Sequence, residues 1–290
     1  MNKLLTIIVT YNGMQWLERC LASVRNSETH SDIFIVDNGS TDGSIEYIKN
    51  NYPEAILIES KENLGFGRAN NLGFKYAVKN GYENVYLLNQ DAWIEPGLLG
   101  RMVDVARLNP EYGILSPLQV NREQTKLDKN FSSWIPAALS SDLLCGCSLK
   151  DVYETKFTMA AHWLIPVSKL HIVGGFSPAF RHYGEDNNLI DRMHFKGFKN
   201  GIVPSVKGVH DREFRPLSKG KSQYINYVLT IVMLNNPLIK GHFVKLMTKT
   251  FKKMLHPNDF NIKYAFKSFG DYIKSRKYKR QYKETGPYLD

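Results

Sequence analysis

Several features are scarce in this sequence, and each scarcity excludes a class of protein. The 290 residues include only 3 cysteines, two of them in Cys145-Gly146-Cys147, which indicates neither a disulfide framework nor a paired zinc site. The longest apolar run, at 224–234, is interrupted by Asn226 and is too short to span a bilayer. No small-residue cleavage site follows the first apolar segment, so we expect a cytoplasmic protein without a signal peptide.

Two phosphate-binding motifs are also missing. The first turn, Thr10-Tyr11-Asn12-Gly13, does not fit G-x-G-x-x-G, and G-x-x-x-x-G-K-[ST] occurs nowhere in the chain. These absences argue against a dinucleotide-dependent oxidoreductase and against a P-loop enzyme.

Acidic residues are scarce in the last quarter of the chain. Residues 219–290 contain 15 Lys and Arg but 4 Asp and Glu, a net charge of +11, whereas the rest of the chain has a net charge of −1. A basic tail on a nearly neutral body favours a polyanionic partner, such as nucleic acid, an anionic membrane surface or a phosphorylated substrate.

The first half of the sequence alternates short apolar strands with amphipathic helices. The predicted strands are Leu4–Thr10, Ile33–Asp37, Ala55–Glu59 and Val85–Asp91. Strands that alternate with helices in this way are typical of a mostly parallel sheet flanked by helices. The fold class is therefore α/β.

Polar side chains stand at the carboxyl ends of these strands, along one edge of the predicted sheet. They are Thr10, Tyr11, Asn12, Asp37, Asn38, Asn89, Gln90 and Asp91. Ligands of open α/β sheets bind at this edge, and a nucleotide would fit there. Tyr11 can pack on a base and Asp37 can accept from a base N–H. In the next loop Asn63, Arg68 and Asn70 can reach ribose or phosphate, and Gly65 allows close approach.

Asp91 has two interpretations. Asn89 and Asp91 offer oxygen atoms suited to a hard divalent cation at the lip of a cleft. Alternatively, Asp91 caps the helix that follows Pro96, which is a common role for Asp.

Four segments carry a family resemblance. They are 7–12 (IIVTYN), 36–43 (VDNGSTDG), 63–71 (NLGFGRANN) and 88–91 (LNQD). In this order they resemble the family-2 glycosyltransferases, most of all the bacterial rhamnosyltransferase-like branch, over about residues 4 to 211. The resemblance implies the GT-A fold and inverting transfer from a nucleotide-diphosphate sugar. It also implies a divalent metal, Mn²⁺ or Mg²⁺.

The resemblance also implies roles for individual residues. Asn89-Gln90-Asp91 is the counterpart of the family's D-x-D motif, which makes Asp91 the main metal ligand and Asn89 a helper at most. Asp37 would read the base, while Thr10, Tyr11 and Asn12 would line its pocket.

Roles for three further residues are implied by the same family. Asp186 would be the catalytic base, with Glu185 orienting the acceptor or supporting Asp186, and His210 would complete the metal shell. Each has a plainer alternative: two acids stabilise a helix N-terminus, and a lone His is usually structural.

The middle and end of the chain are less regular. We predict an exposed loop at 121–129 and a small hairpin formed by Phe131–Trp134 and Leu143–Leu149. Residues 1–218 would form the catalytic domain, with the nucleotide-sugar half at about 1–118 and the acceptor half at about 119–218.

Residues 219–290 would form an extension of basic amphipathic helices. One apolar stripe there comprises Phe243, Met247, Phe251, Met254 and Leu255. Such stripes suit an anionic membrane surface. They suit equally packing on the catalytic domain or on a second subunit.

The resulting prediction is an inverting, metal-dependent glycosyltransferase of bacterial surface polysaccharide synthesis, acting on capsule or O-antigen. It would move one sugar from a UDP- or dTDP-sugar to a glycan or lipid-linked glycan. We expect a cytoplasmic protein, peripheral on the inner face of the membrane or dimeric, with no nucleic-acid partner. The alternatives are a nucleotidyltransferase and a polyanion-binding protein without enzymatic activity.

Overall fold

A mixed sheet forms the centre of the molecule. The computed structural model describes residues 3–211, 219–254 and 261–289. Within these ranges the strands are β1 (Leu4–Thr10), β2 (Asp32–Asp37), β3 (Ile56–Glu59), β4 (Asn84–Asn89), β5 (Ala92–Ile94), β6 (Tyr112–Val120), β7 (Tyr153–Glu154), β8 (His162–Pro166) and β9 (Lys199–His210). Their order in the sheet is β3-β2-β1-β4-β8-β6-β9-β5, and β7 pairs with β9.

The direction of the strands decides which strand ends meet. β3, β2, β1 and β4 run parallel, as the sequence predicts. β8 is antiparallel to both β4 and β6, and β9 is parallel to β6. The strand direction reverses from β4 to β8 and again from β8 to β6, so β9 runs in the same direction as β4. His210, at the end of β9, therefore lies at the same edge as the ends of β1, β2 and β4.

Helices cover both faces of the sheet. They are α1 (Met14–Arg25), α2 (Ser44–Asn51), α3 (Phe66–Lys79), α4 (Leu98–Leu108), α5 (Ala137–Cys145), α6 (Val167–Val173), α7 (Glu185–Phe195), α8 (Lys219–Asn235), α9 (His242–Met254) and α10 (Ile262–Gln281). Alternate side chains of β1 enter two separate cores: Leu5 and Ile7 pack with α3, α6 and α7, whereas Leu4 and Ile8 pack with α1, α2 and α4. The predicted α/β architecture is confirmed.

The predicted hairpin in the middle segment is wrong. Phe131–Trp134 is a 3₁₀ turn, and Leu143 and Leu144 lie in α5. The residues of α5 include several good helix formers, and Gly146 ends the helix in the left-handed conformation at φ 65°. The strand predicted to reach Asp91 also ends earlier, at Asn89, because the chain turns at Gln90 and Asp91 before β5.

The last three helices are joined to the part of the protein formed by residues 3–211. Tyr227, Val228 and Ile231 of α8 pack on Phe180, and the Tyr227 ring stacks on Tyr264 of α10 with ring centres 4.9 Å apart. The predicted domain boundary at 218 and the stripe residue Leu255 lie outside the described residues. In the described ranges, no helix has both the length and the hydropathy needed to cross a bilayer.

The chain end after α10 returns to the segment between α6 and α7. The Tyr282 hydroxyl lies 3.0 Å from the Ser177 hydroxyl, and the Gly175 N–H donates to the Pro287 carbonyl at 2.9 Å. Arg192 of α7 is fully buried here, with its guanidinium 5.2 Å from the Tyr282 ring centre and donating to the Val173 carbonyl at 2.7 Å. The extension is thus fixed to the body at both ends.

Candidate active site

The ends of β1 and β4 are tied together by the Gln90 side chain. Its Oε1 accepts from the Thr10 hydroxyl and from the Tyr11 N–H, both at 2.8 Å. Gly13 leaves room for this amide, because a Cβ there would overlap Gln90 Oε1 and displace the side chain. Tyr11 remains 48% exposed, so its ring is available to a ligand.

A second tie joins the ends of β1 and β2. Asn12 has φ 46°; its N–H donates to the Ser40 hydroxyl and its Oδ1 accepts from the Thr41 N–H, both at 2.9 Å. Asp37 is fully buried, and its Oδ1 accepts from the Gly39 and Ser40 N–H groups. Its carboxylate therefore organises its own loop, and the base-reading role of Asp37 stays a prediction.

The loop before α3 extends the same edge. Asn38 Oδ1 accepts from the Leu64 N–H at 3.2 Å, and Asn63 Oδ1 accepts from the Gly65 N–H at 2.9 Å. Gly65 has φ +77°, and a Cβ there would lie 2.6 Å from the Arg181 carbonyl oxygen. This glycine lets the loop pack against the segment that precedes α7.

Two residues of α3 differ in their suitability for the ligand roles predicted for them. Arg68 is exposed and lies 3.8 Å from Glu62, so it can move to an anionic ligand. Asn70 is 1% exposed and donates to the Phe66 carbonyl of its own helix. The structure therefore gives Asn70 a helical role and does not bring it to the ligand edge.

Asp91 and His210 come together at the centre of this edge. His210 Nε2 lies 3.6 Å from Asp91 Oδ1, and β9 pairs with β5 so that His210 faces Ala92. The His210 side chain is fully buried, whereas the Asp91 side chain is 25% exposed.

Helix α4 has Gly97 at its N-cap and no side-chain cap, which excludes the alternative that Asp91 caps it. Asn89 is half-buried at the end of β4 and donates through its N–H to the Ala161 carbonyl.

Sequence reasoning missed Asp128, which lies on the other side of the His210 ring. Its Oδ2 is 3.4 Å from His210 Nδ1, and its side chain is 4% exposed although the surrounding loop is exposed as predicted. Asp128 Oδ1 accepts from the Asn130 and Phe131 N–H groups. In the sequence Asp128 is recognisable as a turn-forming residue of a polar loop, and this does not predict a contact with His210.

Asp211 was also not singled out as a site residue. Its N–H donates to the Asp91 carbonyl at 2.8 Å, and its carboxylate accepts from the Trp16 indole at 3.2 Å. Arg122, which is 61% exposed, lies 3.3 Å from the same carboxylate. A guanidinium therefore stands beside the Asp91–His210 pair.

Asp91 and His210 suit a divalent metal whose other ligands come from a substrate and from water. No group of three or more His, Cys, Asp and Glu side chains in the described ranges suits a metal ion. One carboxylate and one imidazole leave most coordination positions for phosphate oxygens and water, as is usual for Mg²⁺ and similar ions at phosphate sites. Asp91 and His210 are the residues that would hold it.

Glu185 and Asp186 lie in different environments. Both are in the first turn of α7, behind Gly184 at φ 83°, where the helix dipole also favours them. Asp186 is half-buried, and its Oδ1 accepts from the Asn187 N–H at 2.8 Å. Glu185 is 7% exposed, and burial, followed by the charge of Asp186, raises its pKa to about 7. Asp186 is thus the more accessible of the two.

A family model, described as glycosyl transferase family 2, matches residues 6–161, which is more than half of the chain. The chain belongs to glycosyl transferase family 2. Over 231 residues it is 26% identical to the N-acetylglucosaminyl-diphospho-decaprenol L-rhamnosyltransferase of Mycobacterium tuberculosis, a match that covers 71% of this chain and 75% of that protein. An undecaprenyl-phosphate mannosyltransferase of Micrococcus luteus is 28% identical over 36% of this chain and 44% of its own.

Solved structures agree on the fold. S. aureus TarS superposes with a TM-score of 0.60 at 14% identity, over 94% of this glycosyltransferase and 49% of TarS. GalNAc-T7 with UDP, GalNAc and Mn²⁺ superposes with a TM-score of 0.59 at 14% identity, over 80% of this chain and 48% of that chain. The GT-A-like fold expected from the sequence is confirmed.

Proposed function

We propose that the protein transfers one sugar from a UDP- or dTDP-sugar to a glycan or lipid-linked glycan, with inversion and with a divalent metal. The observation that carries this proposal is the Asp91–His210 pair, 3.6 Å apart, at the strand edge where the β1, β2 and β4 loops are tied together. A nucleotide would lie along those loops. Its diphosphate would reach the pair, with Arg122 and Arg68 as further cations.

Asp186 would act as the catalytic base. Its carboxylate takes the proton from the acceptor hydroxyl as that oxygen attacks the anomeric carbon, opposite the departing diphosphate. The bound metal would supply Lewis-acid neutralisation of the leaving diphosphate. Asp91 and His210 would hold the metal, and Asn89 would contribute a neutral oxygen at most.

The remaining side chains would position the substrates. Tyr11 would pack on the base. The Asp37 carboxylate is fully buried and already accepts from Gly39 and Ser40, so it would shape the base pocket through its loop. A base N–H, which uracil and thymine share, would reach this carboxylate after that loop opens. Thr10, Asn12, Asn38, Asn63, Gly65 and Gln90 would shape the pocket. Glu185, with a pKa raised to about 7, would support Asp186 from the buried side.

The acceptor is proposed from the relatives. The Mycobacterium enzyme is named for an acceptor linked through diphosphate to decaprenol, and the Micrococcus enzyme for undecaprenyl phosphate. We propose a comparable lipid-linked acceptor in surface polysaccharide synthesis for the present enzyme. With such an acceptor the enzyme would work at the inner membrane face. A homodimer stays a prediction from the apolar stripes of the extension.

The test is release of nucleoside diphosphate from a panel of UDP- and dTDP-sugars, with Mn²⁺ or Mg²⁺ and again with EDTA. We expect one donor to be turned over and EDTA to stop turnover. A nucleotidyltransferase would instead release pyrophosphate from a nucleoside triphosphate and a sugar phosphate. A polyanion-binding protein would turn over no donor, and its binding would weaken steeply with salt.

A further inference from the structure

The outer faces of α9 and α10 expose large apolar side chains. On α9 these are Phe243, Val244, Met247 and Phe251, and on α10 they are Ile262, Phe266 and Ile273. Phe251, Phe266 and Ile273 are each 64% to 72% exposed. In each helix the spacing places these side chains on one face. We call these seven residues the outer apolar face.

Most of the outer apolar face lies apart from the contacts by which the helices pack on the protein. Phe243 is the exception, because its ring centre lies 5.6 Å from that of Tyr272 on α10. Helix α9 packs inward through Leu246, which is fully buried, and through His242, whose ring lies 3.0 Å from the Asn236 carbonyl. Helix α10 packs inward through Tyr264, and its Ser268 and Ser275 are buried. Large apolar side chains that stay exposed along one face of a helix indicate an interaction site.

The charges around this face are of one sign. Lys245 and Lys252 of α9 are exposed, and so are Lys263, Lys274 and Lys277 of α10. Helix α9 contains no acidic residue, and the single acid of α10, Asp271, accepts from the Tyr227 hydroxyl. A second copy of this surface would bring lysines against lysines, which is repulsive. Anionic phospholipid headgroups are complementary to it.

We propose that the outer apolar face and its lysines bind the surface of an anionic phospholipid bilayer. The aromatic and aliphatic side chains would enter the boundary between headgroups and acyl chains, while the lysine ammonium groups stay among the headgroups. The chain would lie on the bilayer without crossing it.

This surface is connected directly to the acceptor half of the site. Helix α8 packs on α10 through Tyr227 and Tyr264, and its Val228 and Val232 contact Gly184, which immediately precedes Glu185. The Tyr224 hydroxyl donates to the His182 carbonyl at 3.3 Å. The consequence for catalysis, delivery of a lipid-linked acceptor to Asp186, rests on the proposed function, whereas the lipid binding itself does not.

The experiment is co-sedimentation of the full chain with phosphatidylcholine vesicles that contain 0, or about 30%, phosphatidylglycerol, a typical anionic fraction for such assays. We expect binding only to the anionic vesicles. The triple variant Phe251→Ser, Phe266→Ser and Ile273→Ser should bind at least about tenfold more weakly. The matched control replaces two exposed leucines of the catalytic body, Leu108→Ser and Leu144→Ser, and should bind like the wild type.

A second variant leaves the apolar side chains intact. Lys245→Gln with Lys252→Gln should weaken binding about fivefold per charge removed, and raised salt should do the same. The control is Lys61→Gln with Lys79→Gln, two exposed lysines of the catalytic body, with no expected change. Because these substitutions preserve helix-forming residues, they keep the test valid even if the serine variant loses helicity.

Two outcomes would overturn the proposal. Equal partition of the wild type and both variants would show that the outer apolar face does not bind lipid. A wild-type dimer that the serine variant cannot form, without vesicle binding by either, would assign the face to a second copy. Turnover of a soluble donor by the wild type is measured in parallel. Absence of turnover would contradict the proposed function, whereas the result on lipid binding would still stand.

Discussion

The two halves of the site are built differently. On the donor side, side chains hold turns of their own loops: Asp37 binds the N–H groups two and three residues later, and Asn63 binds that of Gly65. At the proposed metal pair, Asp91 and His210, the contacts join residues far apart in the chain, because Asp91, Asp128 and His210 come from three separate segments. The donor edge thus combines local turns with ties between strand ends, such as that of Gln90 to Thr10, whereas the proposed metal pair has contacts between distant segments alone among those described.

The largest effect should follow from Asp186→Asn. Loss of the proposed base is expected to lower kcat about 10²- to 10⁴-fold, because the amide cannot take the acceptor proton. The donor Kd should not change, since the donor loops are untouched. Steady-state kinetics with the donor identified in the panel would measure this. Asp191→Asn, on the same helix, is the control and should keep most activity; an active Asp186→Asn enzyme would remove Asp186 as the base.

The proposed metal site can be tested with Asp128→Asn, which changes a residue that contacts His210 and is not itself a proposed ligand. The amide oxygen can still accept from the Asn130 and Phe131 N–H groups, so the loop should hold, but the charge beside His210 Nδ1 is lost. Loss of such a second-layer carboxylate typically weakens metal affinity about 10- to 100-fold. Mn²⁺ titration followed by electron paramagnetic resonance would measure it. Asp142→Asn, whose partner is the Tyr153 hydroxyl, should leave affinity unchanged; equal affinity in both variants would contradict the role of Asp128.

Gly13→Ala should weaken binding of the sugar donor. The new methyl group would displace the Gln90 amide from Thr10 and Tyr11 and loosen the tie between β1 and β4. We expect the donor Kd to rise about tenfold, equivalent to roughly one lost hydrogen bond, with Mn²⁺ affinity nearly unchanged. Gly220→Ala is the control, because no atom of the described residues lies within 4 Å of its Cβ position. A loss of metal affinity as large as the loss of donor affinity would contradict the separation of the two halves.

The smallest effect is the pH dependence of stability at Glu185. Burial raises its pKa from the ordinary 4.5 to about 7. Between these values the unfolded chain releases the proton and the folded protein keeps it, so the wild type loses stability as pH rises, and the loss is complete above 7. Glu185→Gln should therefore gain Tm relative to the wild type from pH 4.5 to 7. Thermal unfolding at pH 5, 6, 7 and 8 measures the difference, and a constant difference would contradict a buried, titrating Glu185.

The same contrast explains what could be predicted from the sequence. Strands β1 to β4 and the turns after them follow from local periodicity and turn chemistry, so the sheet and the polar residues of its edge were predictable. Asp128 was not, because a lone Asp in a polar loop gives no sign of a distant partner, and Arg122 and Asp211 are similar cases. Phe131–Leu149 was misread because a short apolar stretch fits a strand or a helix equally well. Asn70 lies in a segment that resembles the family, but its side chain donates to the Phe66 carbonyl within α3.

Asp91 and His210 are proposed to hold a metal that the transfer requires. Nucleoside diphosphate release by wild type and Asp91→Ala tests this, after EDTA treatment and then across a Mn²⁺ titration. We expect Mn²⁺ to restore the wild type and Asp91→Ala to stay at least about 100-fold slower at saturating Mn²⁺. An Asp91→Ala enzyme with the wild-type rate and the wild-type Mn²⁺ dependence would contradict it.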